Sequence, residues 1–181
     1  MVINMEEKVV IRALRKEDYS DIFELEKQVH RIHYANRPDL YNDVSDLFPI
    51  DYYESIIDSK NNISMGIEED ERVVAIILSE IKETSNISII KKRKYCYIDD
   101  IVVDENYRRK GYARKLFEVL KDKLRELNIG DIELTVWPFN KEALAFYESL
   151  GMSVKNIKYE LKSNAKLNTE TLEFNTTQST K

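Results

Sequence analysis

Residues 108–114, Arg-Arg-Lys-Gly-Tyr-Ala-Arg, form a basic run broken by Gly111. The run lies between a β-like stretch, 97–103, and a helical one, 113–127. A turn of this kind at the start of a helix is built to bind an anion. The first-turn N–H groups of a helix have no intrahelical acceptor and carry the positive end of its dipole. Gly111 admits backbone conformations closed to other residues, and Arg and Lys add charge-assisted contacts. The predicted ligand is a nucleotide or coenzyme with a pyrophosphate. No Gly-Lys-Ser/Thr follows, and the turn holds a single glycine, so neither the P-loop nor the dinucleotide fingerprint applies. Two carboxylates, Asp99 and Asp100, precede the turn; an amide, Asn140, and a phenol, Tyr147, follow the helix.

Two segments share a pattern. Arg108, Gly111 and Ala113 match Arg/Gln-x-x-Gly-x-Gly/Ala. Residues 134–152, Leu-Thr-Val-Trp-Pro-Phe-Asn-Lys-Glu-Ala-Leu-Ala-Phe-Tyr-Glu-Ser-Leu-Gly-Met, read as a strand, a loop with Asn, a short helix carrying Phe-Tyr, and a terminating Gly. In these segments the chain resembles the GNAT superfamily of N-acetyltransferases. The resemblance is specific from about residue 97 to 161 and looser over the first half.

The resemblance implies an acetyl-CoA-dependent N-acetyltransferase acting on a small-molecule or peptide amine. Arg108, Arg109, Lys110, Gly111, Tyr112, Ala113 and Arg114 would take the pyrophosphate. The backbone of Ile101, Val102 and Val103 would bond the pantetheine arm as if it were another strand. Asn140 would bond the pantetheine or sulfur region, and Tyr147 would stabilise or protonate the departing thiolate. The stretch Tyr97-Ile-Asp-Asp-Ile-Val-Val is similar to the spermidine/spermine acetyltransferase branch, whose acidic residues at these two positions engage the polyamine. Here Asp99 stands in place of Glu, one methylene shorter, which favours a water relay over direct proton abstraction. Other readings are a non-catalytic acetyl-CoA-binding regulatory module of the same fold and a transferase for a longer acyl group.

An alkyl amine attacks only when neutral, and its ordinary pKa lies near ~10, so its proton needs an acceptor. Asp99 and Asp100 are the candidates. Strand alternation predicts that they point to opposite faces, with Asp99 beside Tyr97, Ile101 and Val103. Further substrate contacts are expected from His33, Tyr34 and Tyr41, with His30 and Tyr52 near them. His30 and His33 share a helical face, but no third ligand accompanies them, so no metal is expected. Cys96 reads as a buried strand residue and not a nucleophile.

The chain has 181 residues with a net charge of -5, which disfavours a nucleic-acid partner. Hydrophobic residues make up 43% and charged residues 34%, enough for a sizeable core under a well-charged surface. No stretch approaches the ~20 apolar residues of a membrane span, and the N-terminal residues do not read as a signal peptide. A single cysteine allows no internal disulfide, and a cytoplasmic location is the expectation.

These site residues need elements to position them. The pattern predicts a strand at 9–14, a helix from 15 to about 34, a break at Pro38 and a helix at 51–58. A hairpin follows at 62–67 and 72–79, turning at the acidic residues 68–71. Then come a strand at 95–103, a helix at 113–127 ended by Gly130, a strand at 131–137, a helix at 141–150 stopped by Gly151 and a strand at 154–162. The expected fold is α/β: a mixed, mostly antiparallel sheet of six to seven strands with helices on both faces. Residues 1–162 would form one domain. Residues 163–181 would be a polar tail, mobile or adding an edge strand at 167–174. The resemblance leaves room for a homodimer through the late strands or the tail.

Overall fold

The computed structural model describes residues 9–162; the tail and its proposed edge strand lie outside them. The described residues divide into two compact units, one up to residue 141 and one from residue 142. The first unit contains β1 (Val10–Ala13), α1 (Tyr19–Asn36), α2 (Ile50–Asp58), β2 (Asn62–Glu69), β3 (Arg72–Glu83), β4 (Lys94–Val103), α3 (Tyr112–Glu126) and β5 (Ile132–Leu134). The second unit holds the body of α4 (Lys141–Ser149) and residues 150–162.

The strands form one five-stranded sheet in the order β1-β2-β3-β4-β5. The first three pairings are antiparallel and the β4–β5 pairing is parallel. The β2–β3 hairpin turns on Asp70 and Glu71, both at positive φ (52° and 63°). That is the two-residue turn whose twist matches the strands it joins. At Gly66 an added Cβ would lie 2.7 Å from a Leu14 methyl and 2.9 Å from a Val73 methyl. The glycine lets Leu14 sit directly on the sheet.

Alternation along β3 divides the core into two layers. On one face, Val73, Ile76 and Leu78, with Val102 from β4, pack against Ile22 and Leu25 of α1, Tyr53 of α2, Leu14 and Phe48. On the other face, α3 lies on β2, β3 and β4 with Leu116, Phe117, Leu120 and Leu124 buried. Each such side chain stabilises the fold by roughly 1.5–3 kcal/mol relative to exposure. Polar ties lock α1 to the sheet. Asp21 accepts from the Val73 amide at 2.8 Å, and Gln28 donates to Asp104 at 3.1 Å while accepting from the Glu105 amide at 3.0 Å.

Within the second unit, α4 ends in a left-handed Gly151 (φ 85°). The Met152 amide bonds to the Tyr147 carbonyl at 3.1 Å and the Gly151 amide to the Glu148 carbonyl at 2.9 Å. This pair of bonds satisfies the last carbonyls of the helix.

Among the described residues the sheet has five strands where six to seven were expected. Residues 154–162 form no strand. Their alternating apolar residues suggested one, but alternation only marks a face, and a strand requires a ladder to satisfy its backbone. Val154, Ile157, Tyr159 and Leu161 are all exposed.

Candidate active site

The site forms where β4 loses regular pairing on both sides. Against β3, Asp100 pairs with Leu78 but Ile98 pairs with Ser79, so Asp99 is an extra, bulged residue. Against β5, pairing stops at Ile98, which meets Leu134, and residues 99–103 continue beyond the last β5 partner. At Ile101, Val102 and Val103 the edge of β4 on that side therefore has no β5 partner, and this stretch is termed the β4–β5 opening. An extended ligand can pair there as an added strand.

From Val103 the chain enters the basic turn. Asp104 accepts from the Asn106 amide at 2.9 Å and starts a short turn, Glu105–Tyr107. Arg109 and Gly111 both take left-handed conformations, φ 68° and 81°. The first helical bond of α3 runs from the Lys115 amide to the Gly111 carbonyl at 3.0 Å. Amides ahead of that bond, Ala113 among them, lie at the positive end of a 15-residue helix. A Cβ on Gly111 would meet nothing within 4 Å, so the space before the turn is open. Arg108, Arg109 and Arg114 are exposed around it, and Arg108 also donates to the Val103 carbonyl at 3.4 Å.

Two residues of the turn are tied into the fold. Lys110 donates to Glu69 at 2.6 Å, and the Tyr112 hydroxyl donates to the other oxygen of the same carboxylate. Glu69 is only 1% exposed. It ties the turn to the β2–β3 hairpin and holds the Lys110 ammonium away from a purely ligand-binding role. The acidic cluster at 68–71 signalled a turn in the sequence, and its contact with Lys110 was not legible there.

The bulge corrects the expected placement of the two aspartates. Asp100 is in register with Leu78, on the face covered by α1. Asp99 acts electrostatically on Lys82 and Glu80, which follow Leu78 on that same face of β3. Both aspartates act on Tyr52 of α2. They therefore share a face, while Ile101 and Val103 pair with Ile77 and Ala75 on the opposite one.

Glu26 of α1 joins them. It is 7% exposed, and its Oε1 has no hydrogen-bond partner among the described residues. Burial, reinforced by Asp100, raises its pKa far above the usual carboxylate range. Burial and then the charge of Asp99 raise that of Asp100. Asp99 is exposed yet also raised, first by desolvation, with Lys82 opposing and Glu80 adding to it. The Tyr52 phenol, on a side chain that is largely exposed, is raised by partial desolvation and by the charges of Asp99, Asp100, Glu26 and Glu80. Lys82 sits 3.3 Å from Glu80 and 4.2 Å from the centre of the Tyr97 ring. An acid inside the apolar stripe of α1 was the sequence signal for Glu26.

The expected substrate contacts of the first half fall into an aromatic cluster. His33 stacks on Tyr41 at 5.0 Å, and the Trp137 indole N–H donates to the Tyr41 hydroxyl at 3.0 Å. Trp137 stacks on Phe139, and Arg37 lies 4.8 Å over Trp137. Burial, and then His30, lower the pKa of His33. His33 and Tyr41 thus brace the loop after α1 against the loop after β5. Tyr34 packs on His30 at the helix surface. Asn140 closes the latter loop through its amide to the Trp137 carbonyl at 2.9 Å. Cys96 is fully buried, and desolvation raises its thiol pKa, which opposes thiolate formation. Tyr147 lies on α4 in the second unit, half-buried, its ring 5.4 Å from Phe146.

Comparison with known proteins follows the same outline. A family model described as "Acetyltransferase (GNAT) family" matches residues 21–152. The L-ornithine N5-acetyltransferase NATA1 of Arabidopsis thaliana is 38% identical over 58 residues, covering 32% of this chain and 25% of that protein. The chain thus matches about a quarter of that relative's length. A crystallised tetramutant of the BH1408 protein from Bacillus halodurans superposes with a TM-score of 0.81 at 28% identity, covering 85% of this chain and 99% of the other. An aminoglycoside N-acetyltransferase, AAC(6')-Iy, in complex with CoA superposes with a TM-score of 0.67 at 14% identity, covering 91% and 100%; that likeness is one of fold.

Proposed function

Because the chain belongs to the acetyltransferase (GNAT) family, we propose that it moves the acetyl group of acetyl-CoA to a primary amine by direct attack in a ternary complex. The observation that carries this reading is the path of the chain itself, which leaves β5 pairing after Ile98 and runs through Val103 to the left-handed Gly111 turn at the start of α3. The path suits a ligand with an extended amide arm and a pyrophosphate. Backbone groups of Ile101, Val102 and Val103 pair with the arm. The turn from Arg108 to Arg114 receives the phosphates, with Lys110 and Tyr112 holding its shape through Glu69.

The acceptor enters as an ammonium ion, drawn by Asp99, Asp100 and Glu80. At pH 7 an amine of ordinary pKa is neutral in about one molecule in a thousand, a cost of roughly 4 kcal/mol. Desolvation in the opening reduces that cost by favouring the uncharged form. A water molecule carries the released proton to the exposed carboxylate of Asp99. The neutral nitrogen attacks the thioester carbonyl, the C–N bond forms and the C–S bond breaks, and the proton that nitrogen then sheds leaves through water and balances the one the CoA sulfur takes up. Tyr147 stabilises or protonates the departing CoA thiolate.

Calorimetric titration with acetyl-CoA, followed by a thiol-release screen over amines, tests the proposal. Binding with CoA release on an amine class supports it. Binding without release on any amine would favour a regulatory acetyl-CoA-binding module. Absence of binding would remove the phosphate role of the Gly111 turn.

A further inference from the structure

Two surface segments of the first unit carry opposite charges. Residues 84–94, from the end of β3 to the first residue of β4, hold four basic residues and no acidic one. Residues 38–51, from the end of α1 into the start of α2, hold four acidic residues and no basic one. Neighbouring groups compensate only part of that charge. Lys94 pairs with Glu83 at 3.1 Å, and Arg93 pairs with Asp131 at 2.8 Å and with Glu133. Lys91 and Lys92 are left without an ion pair among the described residues. Asp39 pairs with Arg37 at 2.9 Å, whereas Asp43, Asp46 and Asp51 have no such partner among the described residues. The segments are near one another: Tyr52, next to Asp51, feels the charge of Glu80 on the strand that leads into the basic loop.

Each segment also exposes apolar side chains beside its charges. Ile87, Ile89 and Ile90 stand on the basic loop, with Ile89 90% exposed, and Leu40, Val44 and Ile50 stand on the acidic segment. Apolar groups set within a charged rim are the make-up of a contact surface. Both segments are held in shape without a partner. In the basic loop the Thr84 amide donates to the Arg93 carbonyl at 3.1 Å. The Thr84 hydroxyl donates to the Lys91 carbonyl at 3.0 Å and accepts from the Arg93 amide at 3.1 Å. In the acidic segment the Tyr19 hydroxyl donates to the Phe48 carbonyl at 2.9 Å, and Trp137 holds Tyr41. A surface ordered in advance loses little entropy on binding.

We propose that the chain forms a two-fold homodimer in which the basic loop of each copy docks on the acidic segment of the other. A two-fold axis makes every contact twice, so two unlike patches on one chain can cover each other. The isoleucines of the loop meet Leu40, Val44 and Ile50 and lose water, while Lys91 and Lys92 face Asp43, Asp46 and Asp51 at the rim. Two copies of net charge -5 repel each other at long range, and this local complementarity decides which faces meet. An anionic membrane would match the loop but would leave the acidic segment facing like charge; a second copy matches both. The interface lies apart from the late strands and the tail, where the sequence left room for a homodimer. The inference stands independently of the acetyltransferase reading.

Sedimentation velocity over a range of protein and salt concentrations tests this. The samples are wild type, Lys91→Glu/Lys92→Glu, Asp43→Lys/Asp46→Lys, an equimolar mixture of these two variants, and Ile89→Ser. Every substituted side chain is exposed, so circular dichroism should be unchanged. Wild type should dimerise, and more weakly as salt rises. Each double reversal should raise the dimer Kd at least ~10-fold, because two charges invert in a contact made twice. Ile89→Ser should raise it by roughly the same factor through lost apolar burial. The mixture should dimerise again, since each variant then meets opposite charge at both contacts. A monomeric wild type, a dimer indifferent to these changes, or a mixture that stays monomeric would overturn the proposal. A monomer that binds phosphatidylglycerol vesicles, and loses them in Ile89→Ser, would also overturn it and assign the loop to a membrane surface.

Discussion

Replacing Glu26 by Gln should stabilise the protein, and the gain should depend on pH. The side chain is 7% exposed, with an oxygen lacking any partner among the described residues and an acidic neighbour in Asp100. Its pKa is raised in the folded state above the ordinary 4.5. Above the unfolded pKa the unfolded chain releases this proton while the folded chain retains it. The folded state then binds more protons, so its stability falls as pH rises, until the folded pKa is passed. Below about pH 4.5 the wild type and Glu26→Gln should be nearly equal. By pH 7–8 the variant should be more stable by roughly 1–3 kcal/mol, the scale of one buried, unsatisfied polar group. For a chain of this size that is about 2–10 °C in Tm. Thermal unfolding of both proteins between pH 4.5 and 8.5, followed by circular dichroism, measures the difference. A variant less stable than the wild type across this range, or a gap that narrows as pH rises, would refute the burial argument.

Gly111→Val should weaken acetyl-CoA binding about tenfold or more, since a left-handed turn costs a β-branched residue roughly 1–2 kcal/mol and the turn must shift; calorimetry checks this, with Tm falling only slightly because the space around Gly111 is open. Tyr147→Phe should lower kcat about 10- to 100-fold while leaving acetyl-CoA affinity intact, as loss of one donor to developing charge would; full activity would remove the phenol from the mechanism. Gly66→Ala should destabilise by about 1–3 kcal/mol in chemical denaturation, because its methyl would crowd Leu14 and Val73.

The parts of the site that depend on neighbours in sequence were legible. Gly111 and the apolar spacing of α3 announce a turn opening a helix, because both signals are local. The order of elements from β1 to α4 and the helices on both faces followed from the same periodicities. What escaped depends on pairing. The bulge at Asp99 exists because Ser79 pairs with Ile98 while Leu78 pairs with Asp100, a register that β4 alone does not encode. Strict alternation therefore separated two aspartates that share a face. Glu26 reads as one acid in an apolar stripe until the sheet covers it. That His33 and Tyr41 also brace two loops was not legible, because Tyr41 meets Trp137, 96 residues away. Residues 154–162 carry strand-like alternation without a ladder, so the extra strand did not form.

The central claim is a direct transfer from acetyl-CoA to an amine held at the β4–β5 opening. Initial rates of CoA release, with acetyl-CoA and an amine from the thiol-release screen both varied and the products identified by mass spectrometry, test it. Intersecting reciprocal plots and one acetylated amine per CoA released are expected. Parallel plots, which signal an acetylated enzyme, or CoA release without an acetylated amine, would contradict it.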